Sequence, residues 1–180
     1  MSGFRNKTIG VSGAPIPADN FSGGLFDYND AATATTPISV TGGGAPLVLT
    51  NDAAGPFTNT AYAPVGVTNV WDEVAGKFDW AELGLGDMVD IRLDISVTTL
   101  SVNTEIKVDL HLGVGGGEYT IPWVNPVNIK ATGTYKNVTY NGVYLGDSNT
   151  LDNTANFRIS SDKNCTVVVN GWYVKIIRRG

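Results

Sequence analysis

Two consecutive segments, residues 89–97 and 106–114, alternate strictly between apolar and polar side chains. The apolar positions are Val89, Ile91, Leu93, Ile95 and Val97 in the first segment and Ile106, Val108, Leu110, Leu112 and Val114 in the second. A period of two is typical of a strand that buries one face. Because a polar break at residues 101–104 separates the segments, they predict an antiparallel hairpin whose apolar face is covered by a second layer.

Two Asn-Gly dipeptides, Asn141-Gly142 and Asn170-Gly171, each stand between strand-like segments. Asn-Gly tolerates the positive φ angles that a two-residue type I′ turn requires. We therefore expect a hairpin at each dipeptide. The first joins residues 135–140 to residues 143–145.

The second of these hairpins covers residues 165–177 and has two apolar faces. A turn at residues 170–171 places one set of apolar side chains together on the core face: Cys165, Val167, Val169, Trp172, Val174 and Ile176. The opposite face also carries apolar side chains, namely Val168, Tyr173 and Ile177. This second face predicts an oligomer interface with a neighbouring subunit.

Shorter strand-like segments are separated by frequent turn residues, and no segment predicts a convincing helix. They cover residues 38–41, 47–50, 65–71, 77–80 and 119–124. Pro122 and Pro126 restrict the last of these to a sheet edge or a loop, because proline cannot donate to a central ladder. With 22 glycines and only 16% charged residues, residues 31–180 predict one all-β domain, an antiparallel β-sandwich of jelly-roll type.

Residues 1–30 are irregular but contain more apolar side chains than a disordered tail usually has. They predict either an extended N-terminal arm that lies along a groove of its own or a partner subunit, or an unstructured terminus. The start of the chain lacks the apolar core of a signal peptide. No apolar run approaches the roughly 20 residues that cross a bilayer, and a net charge of −5 argues against nucleic-acid binding. We therefore expect neither a membrane nor a nucleic-acid partner.

Few residues are candidates for chemistry, and we predict no catalytic, cofactor or metal site. His111 is the one histidine and Cys165 the one cysteine, so catalytic triads and multi-histidine zinc sites lack their partners. We expect Cys165 to be buried and inert, and His111 to be a solvated neighbour of Arg92 and Asp109.

A carboxylate pair for glycoside hydrolysis needs two acids about 5 to 10 Å apart. The outward acids of the predicted hairpin are Asp90, Asp94, Glu105 and Asp109. If positions whose numbers sum to 201 face each other, the cross-strand pairs are Asp94–Lys107, Arg92–Asp109 and Asp90–His111. Complementary pairs of this kind favour a solvated, charge-paired face over a catalytic one.

Two loops and one tryptophan leave binding functions open. The glycine-rich residues 113–117 follow a strand but precede no helix, so they lack the features of a phosphate loop. Residues 147–153 resemble a calcium loop only loosely, since Leu151 and Asp152 occupy positions five and six and no glutamate closes the loop. Trp123 lies in a predicted loop and is a candidate ligand platform for a sugar. The other tryptophans are expected in the core or at an interface.

The runs VWDEVAGKFDW, LGLGDMVDIRLDISV and VVVNGWYVKIIRRG resemble trimeric jelly-roll domains of the tumour-necrosis-factor and complement-head type. The resemblance covers about residues 65–180 and is strongest to versions in bacteriophage virion proteins, namely capsid decoration proteins and fibre heads. The chain departs from the metazoan members because it lacks a signal peptide, a collagen-like stalk and a cysteine pair.

The resemblance implies a non-enzymatic virion structural protein, made in the host cytoplasm, that forms a homotrimer. It also implies that the N-terminal arm docks on the major capsid protein or on another virion protein. The alternative functions are a carbohydrate- or receptor-binding module of a phage fibre, which acts on a host-surface glycan through Trp123 and residues 147–153, and a small glycan-cleaving enzyme.

Overall fold

A computed structural model describes residues 23–29, 36–50, 60–72 and 75–179. The strands are β1 (Gly23–Asn29), β2 (Ile38–Val40), β3 (Leu47–Val48), β4 (Trp71–Asp72), β5 (Lys77–Phe78), β6 (Met88–Thr99), β7 (Thr104–Val114), β8 (Tyr119–Ile129), β9 (Gly133–Tyr144), β10 (Thr154–Ser161) and β11 (Cys165–Ile177). A five-residue helix, α1 (Ser148–Asp152), precedes β10.

The strands form two antiparallel sheets that pack as a sandwich. Sheet A has the order β1-β11-β6-β9, with β2 also paired to β11, and sheet B has the order β4-β5-β10-β7-β8, with β3 also paired to β10. If β4 and β5 count as one strand and the short β2 and β3 are set aside, successive strands alternate between the sheets, except that β7 and β8 are neighbours. This is the strand order of a jelly roll, so the predicted all-β antiparallel sandwich is confirmed.

The apolar positions of the opening alternation line the core, but their strands are not a hairpin. Val89, Ile91 and Leu93 on β6, like Val108 and Leu110 on β7, are fully buried. However, β6 pairs with β11 and β9 in sheet A, whereas β7 pairs with β10 and β8 in sheet B. The predicted hairpin is therefore wrong: the polar break carries the chain from one sheet to the other, and each strand helps to cover the other's apolar face.

Both predicted Asn-Gly turns are also wrong, since β9 and β11 run through these dipeptides. In β11 the register against β6 shifts between Val169 and Gly171, and this bulge lets Val169 and Trp172 point to the same side although three positions separate them. The predicted core face of residues 165–177 is thus correct, but a bulge produces it. In β9, a Cβ on Gly142 would stand 2.7 Å from Asp90 Oδ1, so the glycine makes room for this carboxylate.

Other boundaries differ from the expectation. The predicted arm, residues 1–30, overlaps β1, which pairs with β11 from Gly23–Ile177 to Asn29–Gly171 and so belongs to the sandwich. Residues 1–22 lie outside the described residues. The predicted strand at residues 65–71 is limited to its last residue, which begins β4. The edge position expected for the Pro122 segment is confirmed, because β8 ends sheet B.

Candidate functional site

The outer face of sheet A carries the residues predicted for an oligomer interface. Val168, Tyr173 and Ile177 on β11 are half-buried there, and the Arg92 guanidinium lies 5.4 Å from the centre of the Tyr173 ring. Larger exposed apolar side chains continue this face across β6 and β9: Met88, Val138, Tyr140 and Tyr144. The face is therefore rich in aromatic and aliphatic groups, and its contact with a neighbouring subunit stays a prediction.

Two carboxylates on this outer face, Asp90 and Asp94, have hydrogen-bond partners within the sheet. Asp90 accepts a hydrogen bond of 3.0 Å from the Tyr140 hydroxyl, and one of its oxygens lies 3.8 Å from the Lys175 ammonium. Asp94 accepts a bond of 2.7 Å from the Asn170 side chain. Burial, together with the bond to Asp90, raises the pKa of the Tyr140 hydroxyl. Asp90, Asp94 and the Tyr140 hydroxyl thus have partners within the sheet itself.

The acids considered for glycoside hydrolysis do not converge. Asp90 and Asp94 lie on sheet A, whereas Glu105 and Asp109 lie on sheet B, so the register that pairs Asp94 with Lys107 is wrong. Asp90 and Asp94 stand four residues apart on one strand, about 13 Å at the rise of a β-strand, which exceeds the separation of a catalytic pair. Lys107 instead lies 2.7 Å from Asp109 on its own strand.

His111 belongs to a hydrogen-bonded cluster on the outer face of sheet B. Its Nδ1 lies 2.7 Å from Glu118 Oε1, and the Arg158 guanidinium contacts both Glu118 oxygens, at 3.0 and 3.2 Å. The hydrogen bond with His111, followed by the bond and the charge of Arg158, lowers the pKa of Glu118. His111 is only 8% exposed and Arg92 lies in the other sheet, so the predicted solvated position beside Arg92 is wrong.

The glycine-rich loop between β7 and β8 binds a side chain of the same molecule. Gly117 N–H donates to Asn149 Oδ1, and Asn149 Nδ2 donates to the Gly117 carbonyl, both at 2.8 Å. Gly113, at φ +67°, has no space for a Cβ because Asn149 and the Gly117 carbonyl lie closer than 3 Å to that position. Two backbone donors of the loop are thus used within the molecule, that of Gly117 by Asn149 and that of Gly116 by the Gly113 carbonyl.

Residues 147–153, which resemble a calcium-binding loop only loosely, contain α1. The sequence did not predict this helix. Asp147 caps this helix by accepting hydrogen bonds of 2.8 Å from Thr150 N–H and 3.1 Å from its hydroxyl. No group of three or more potential metal ligands occurs among the described residues. Within the same residues, no helix is long and apolar enough to cross a membrane.

The structure places Trp123 in the core. The residue lies in β8 rather than in a loop, is 3% exposed, and packs edge-on against Phe157 at 4.9 Å between ring centres. The expected loop position is wrong, and a buried ring presents no face to a sugar. Burial of Trp71, Trp80 and Trp172 is confirmed. Cys165 is also buried as expected, which raises the pKa of its thiol.

The sequence did not reveal a pocket of about 470 Å³ beside β4 and β5. Its lining residues are Thr68, Asn69, Trp71, Asp72, Asp79, Ala81 and Glu82. Glu82 fixes the position of two other lining residues. Its carboxylate accepts hydrogen bonds from the Thr68 hydroxyl at 2.7 Å and from the backbone N–H groups of Thr68 and Asn69. These bonds, the Thr68 hydroxyl first, lower the pKa of Glu82. No motif spacing links residues 68 and 82, so only the fold brings them together.

No protein-family model matches the sequence, and no curated protein matches it. Among solved structures, the chain is similar to one in the structure of the infectious bursal disease virus Gt strain, at 9% identity and a TM-score of 0.50 over 89% of this chain and 34% of the other. A chain from the Gx strain has 10% identity and a TM-score of 0.48 over 90% and 33%. This chain therefore spans about a third of the length of those chains, and at such identities the likeness concerns the fold alone.

Proposed function

We propose that the protein is a non-enzymatic structural component of a virus particle, in which copies of the chain assemble with one another. The observation that carries the proposal is a jelly roll, similar over 89% of the chain to a chain of a solved virus structure. The aromatic and aliphatic outer face of sheet A also supports it, because aromatic residues and methionine are enriched at protein interfaces.

In finer detail, the protein is a capsid decoration protein or a short fibre of a bacteriophage, and it forms a homotrimer through Val168, Tyr173 and Ile177. Residues 1–22 precede β1, which lies at one edge of sheet A. They act as the arm that docks on the major capsid protein or on another virion protein. These assignments combine the outer face of sheet A with the sequence resemblance to phage jelly-roll domains.

The glycan-binding alternative has less support. Trp123, its expected platform, is 3% exposed, and the loop expected to assist it contains a helix capped by Asp147. The geometry does not support the glycan-cleaving alternative, because the four candidate acids lie on two different sheets and do not form a catalytic pair.

Two measurements test the proposal. The mass of the purified protein in solution is compared with that of Tyr173→Asp, which adds a charge to the outer face of sheet A, and with Tyr62→Asp as a matched control on an exposed loop residue. We expect a trimer for the natural protein and for Tyr62→Asp, and loss of the trimer for Tyr173→Asp. A natural protein that is monomeric at micromolar concentration would contradict self-assembly.

The virion role has its own test, which is cosedimentation with particles that lack this protein. We expect the full chain to bind and a variant lacking residues 2–22 to remain folded and oligomeric but not to bind. Equal binding by both proteins would contradict the proposed docking by residues 1–22. No binding by either protein would contradict the virion role.

A further inference from the structure

Strand β9 forms an open edge of sheet A. It pairs with β6 over twelve residues in an unbroken register, from Gly133–Thr99 to Tyr144–Met88. No other strand in the described part of the chain pairs with it. Its far side therefore presents a row of backbone N–H and C=O groups that another strand can pair with.

The edge strand of sheet B, β8, has the features that protect an edge against such pairing. Pro122 and Pro126 remove two N–H donors, and the register against β7 shifts twice between Ile106 and Asp109. Proline, bulges and charged side chains are the usual means of blocking an edge strand. Across its full length, β9 contains no proline, no register shift and one charged residue, Lys136.

The side chains beside this open edge suit contact with another protein surface. On the outer face, Val138, Tyr140 and Tyr144 are 56%, 51% and 62% exposed, and Met88 lies opposite Tyr144 on β6. Aromatic residues and methionine are enriched at protein interfaces. The Tyr140 hydroxyl is already bonded to Asp90, so its burial leaves no unpaired donor.

We propose that β9 pairs antiparallel with β9 of a second copy of this chain, so that the two A sheets become one continuous sheet. An antiparallel strand is complementary to itself about a two-fold axis, so the contact needs no second kind of surface. It is distinct from the Val168, Tyr173 and Ile177 contact, and it goes beyond the proposed function because it requires no virus particle.

The charge distribution favours a second copy as the occupant of this edge. The chain has a net charge of −5, which repels copies that approach through most of the surface. Charged strand residues on the outer face of sheet A are balanced among the described residues: Asp27, Asp90 and Asp94 against Arg92, Lys136 and Lys175. Residues 1–22, by contrast, end where β1 begins, and β11 and β6 separate β1 from β9.

The first test measures the mass of the protein over a range of concentrations. In Val138→Lys, each copy brings an additional positive charge to the β9 edge, and we expect the concentration of half-association to rise at least about tenfold, since like charges at a contact oppose binding. Val127→Lys is the matched control: Val127 is also an exposed valine, at 44%, but lies on β8. We expect it to associate like the natural protein.

Hydrogen exchange provides a second test that does not depend on a variant. We expect the β9 amides to become protected as the concentration rises, while the β8 amides do not change. An oligomer that is insensitive to Val138→Lys and whose β9 amides stay unprotected would overturn the β9 contact, although self-assembly would stand. A monomer at every concentration would overturn both. Protection of β9 in the dilute monomer that disappears when residues 2–22 are deleted would identify the N-terminal segment as the occupant and overturn the proposal.

Discussion

The two edge strands of the sandwich are attached in different ways. In β8, Trp123 and Val124 are buried in the core, whereas the ladder to β7 is irregular. In β9, only Val143 is buried, whereas the ladder to β6 is regular over its full length. Side-chain packing therefore holds β8, and backbone hydrogen bonds hold β9. A strand attached mainly by its backbone leaves its side chains free to contact another molecule.

Truncation of one aromatic residue on each edge is expected to give the largest difference. Trp123→Ala removes a buried ring that packs on Phe157, so it should lower the free energy of unfolding by about 3–5 kcal/mol. Tyr140→Ala, on the exposed face of β9, should cost about 1 kcal/mol or less. Urea denaturation of both variants measures the difference. Equal costs would mean that packing anchors both edges alike.

Removal of the prolines from β8 is expected to have the next largest effect. Pro122→Thr together with Pro126→Thr restores two N–H donors on this edge. If the prolines block pairing, these changes in a Val138→Lys background should restore self-association to within about tenfold of the natural protein. The Val138→Lys parent is the control. If the triple variant associates no better than its Val138→Lys parent, the register shifts are enough to block β8.

The cluster of His111, Glu118 and Arg158, next to the start of β8, should make the stability of the fold sensitive to acid. Because His111 and Arg158 lower the pKa of Glu118, the carboxylate stabilises the fold above its ordinary pKa of 4.5. This contribution is lost as the pH falls through the lowered value. Glu118→Gln should therefore be less stable than the natural protein at pH 7, and the difference should narrow below pH 4.5. Denaturation at several pH values measures it, and a difference that does not depend on pH would contradict the role of this charge.

The smallest expected effect concerns Tyr140 on β9. Burial raises the pKa of this hydroxyl, and its bond to Asp90 raises it further. Asp90→Asn should therefore let Tyr140 ionise at a lower pH than in the natural protein, though burial still keeps the pKa above its ordinary value. Tyrosinate absorbance measures this after subtraction of a Tyr140→Phe titration. An unchanged titration would show that the bond to Asp90 does not form in solution.

The sequence predicted which side chains face the core, because burial follows the alternation of apolar and polar positions along each strand. Val89 to Val97 and Ile106 to Leu112 are the clearest cases. Alternation does not specify the partner of a strand, however. The four residues between β6 and β7 are compatible with a hairpin turn or with a crossing between sheets, and the jelly roll uses the crossing.

The bulge in β11 illustrates a second limit. Val169 and Trp172 are both apolar although they are three positions apart, so the alternation of apolar and polar residues changes phase between them. A turn and a bulge produce this change equally well. The length of the partner strand distinguishes a bulge from a turn. β6 spans twelve residues, and neither arm of the predicted hairpin, residues 165–169 or 172–177, is long enough to pair along all of it. Trp123 shows the same kind of limit for a candidate site. The nearby prolines correctly predicted that its backbone lies at a sheet edge, but they did not predict that its side chain points into the core.

The position of β11 in sheet A has a consequence for how the protein is made. This strand lies between β1 and β6 and pairs Gly23 with Ile177, residues at opposite ends of the described chain. Sheet A is therefore incomplete until β11 has been synthesised, and such distant pairing is typical of proteins that fold in milliseconds to seconds. Until then the edge of β6 that pairs with β11 in the folded protein has no partner and can pair with other chains.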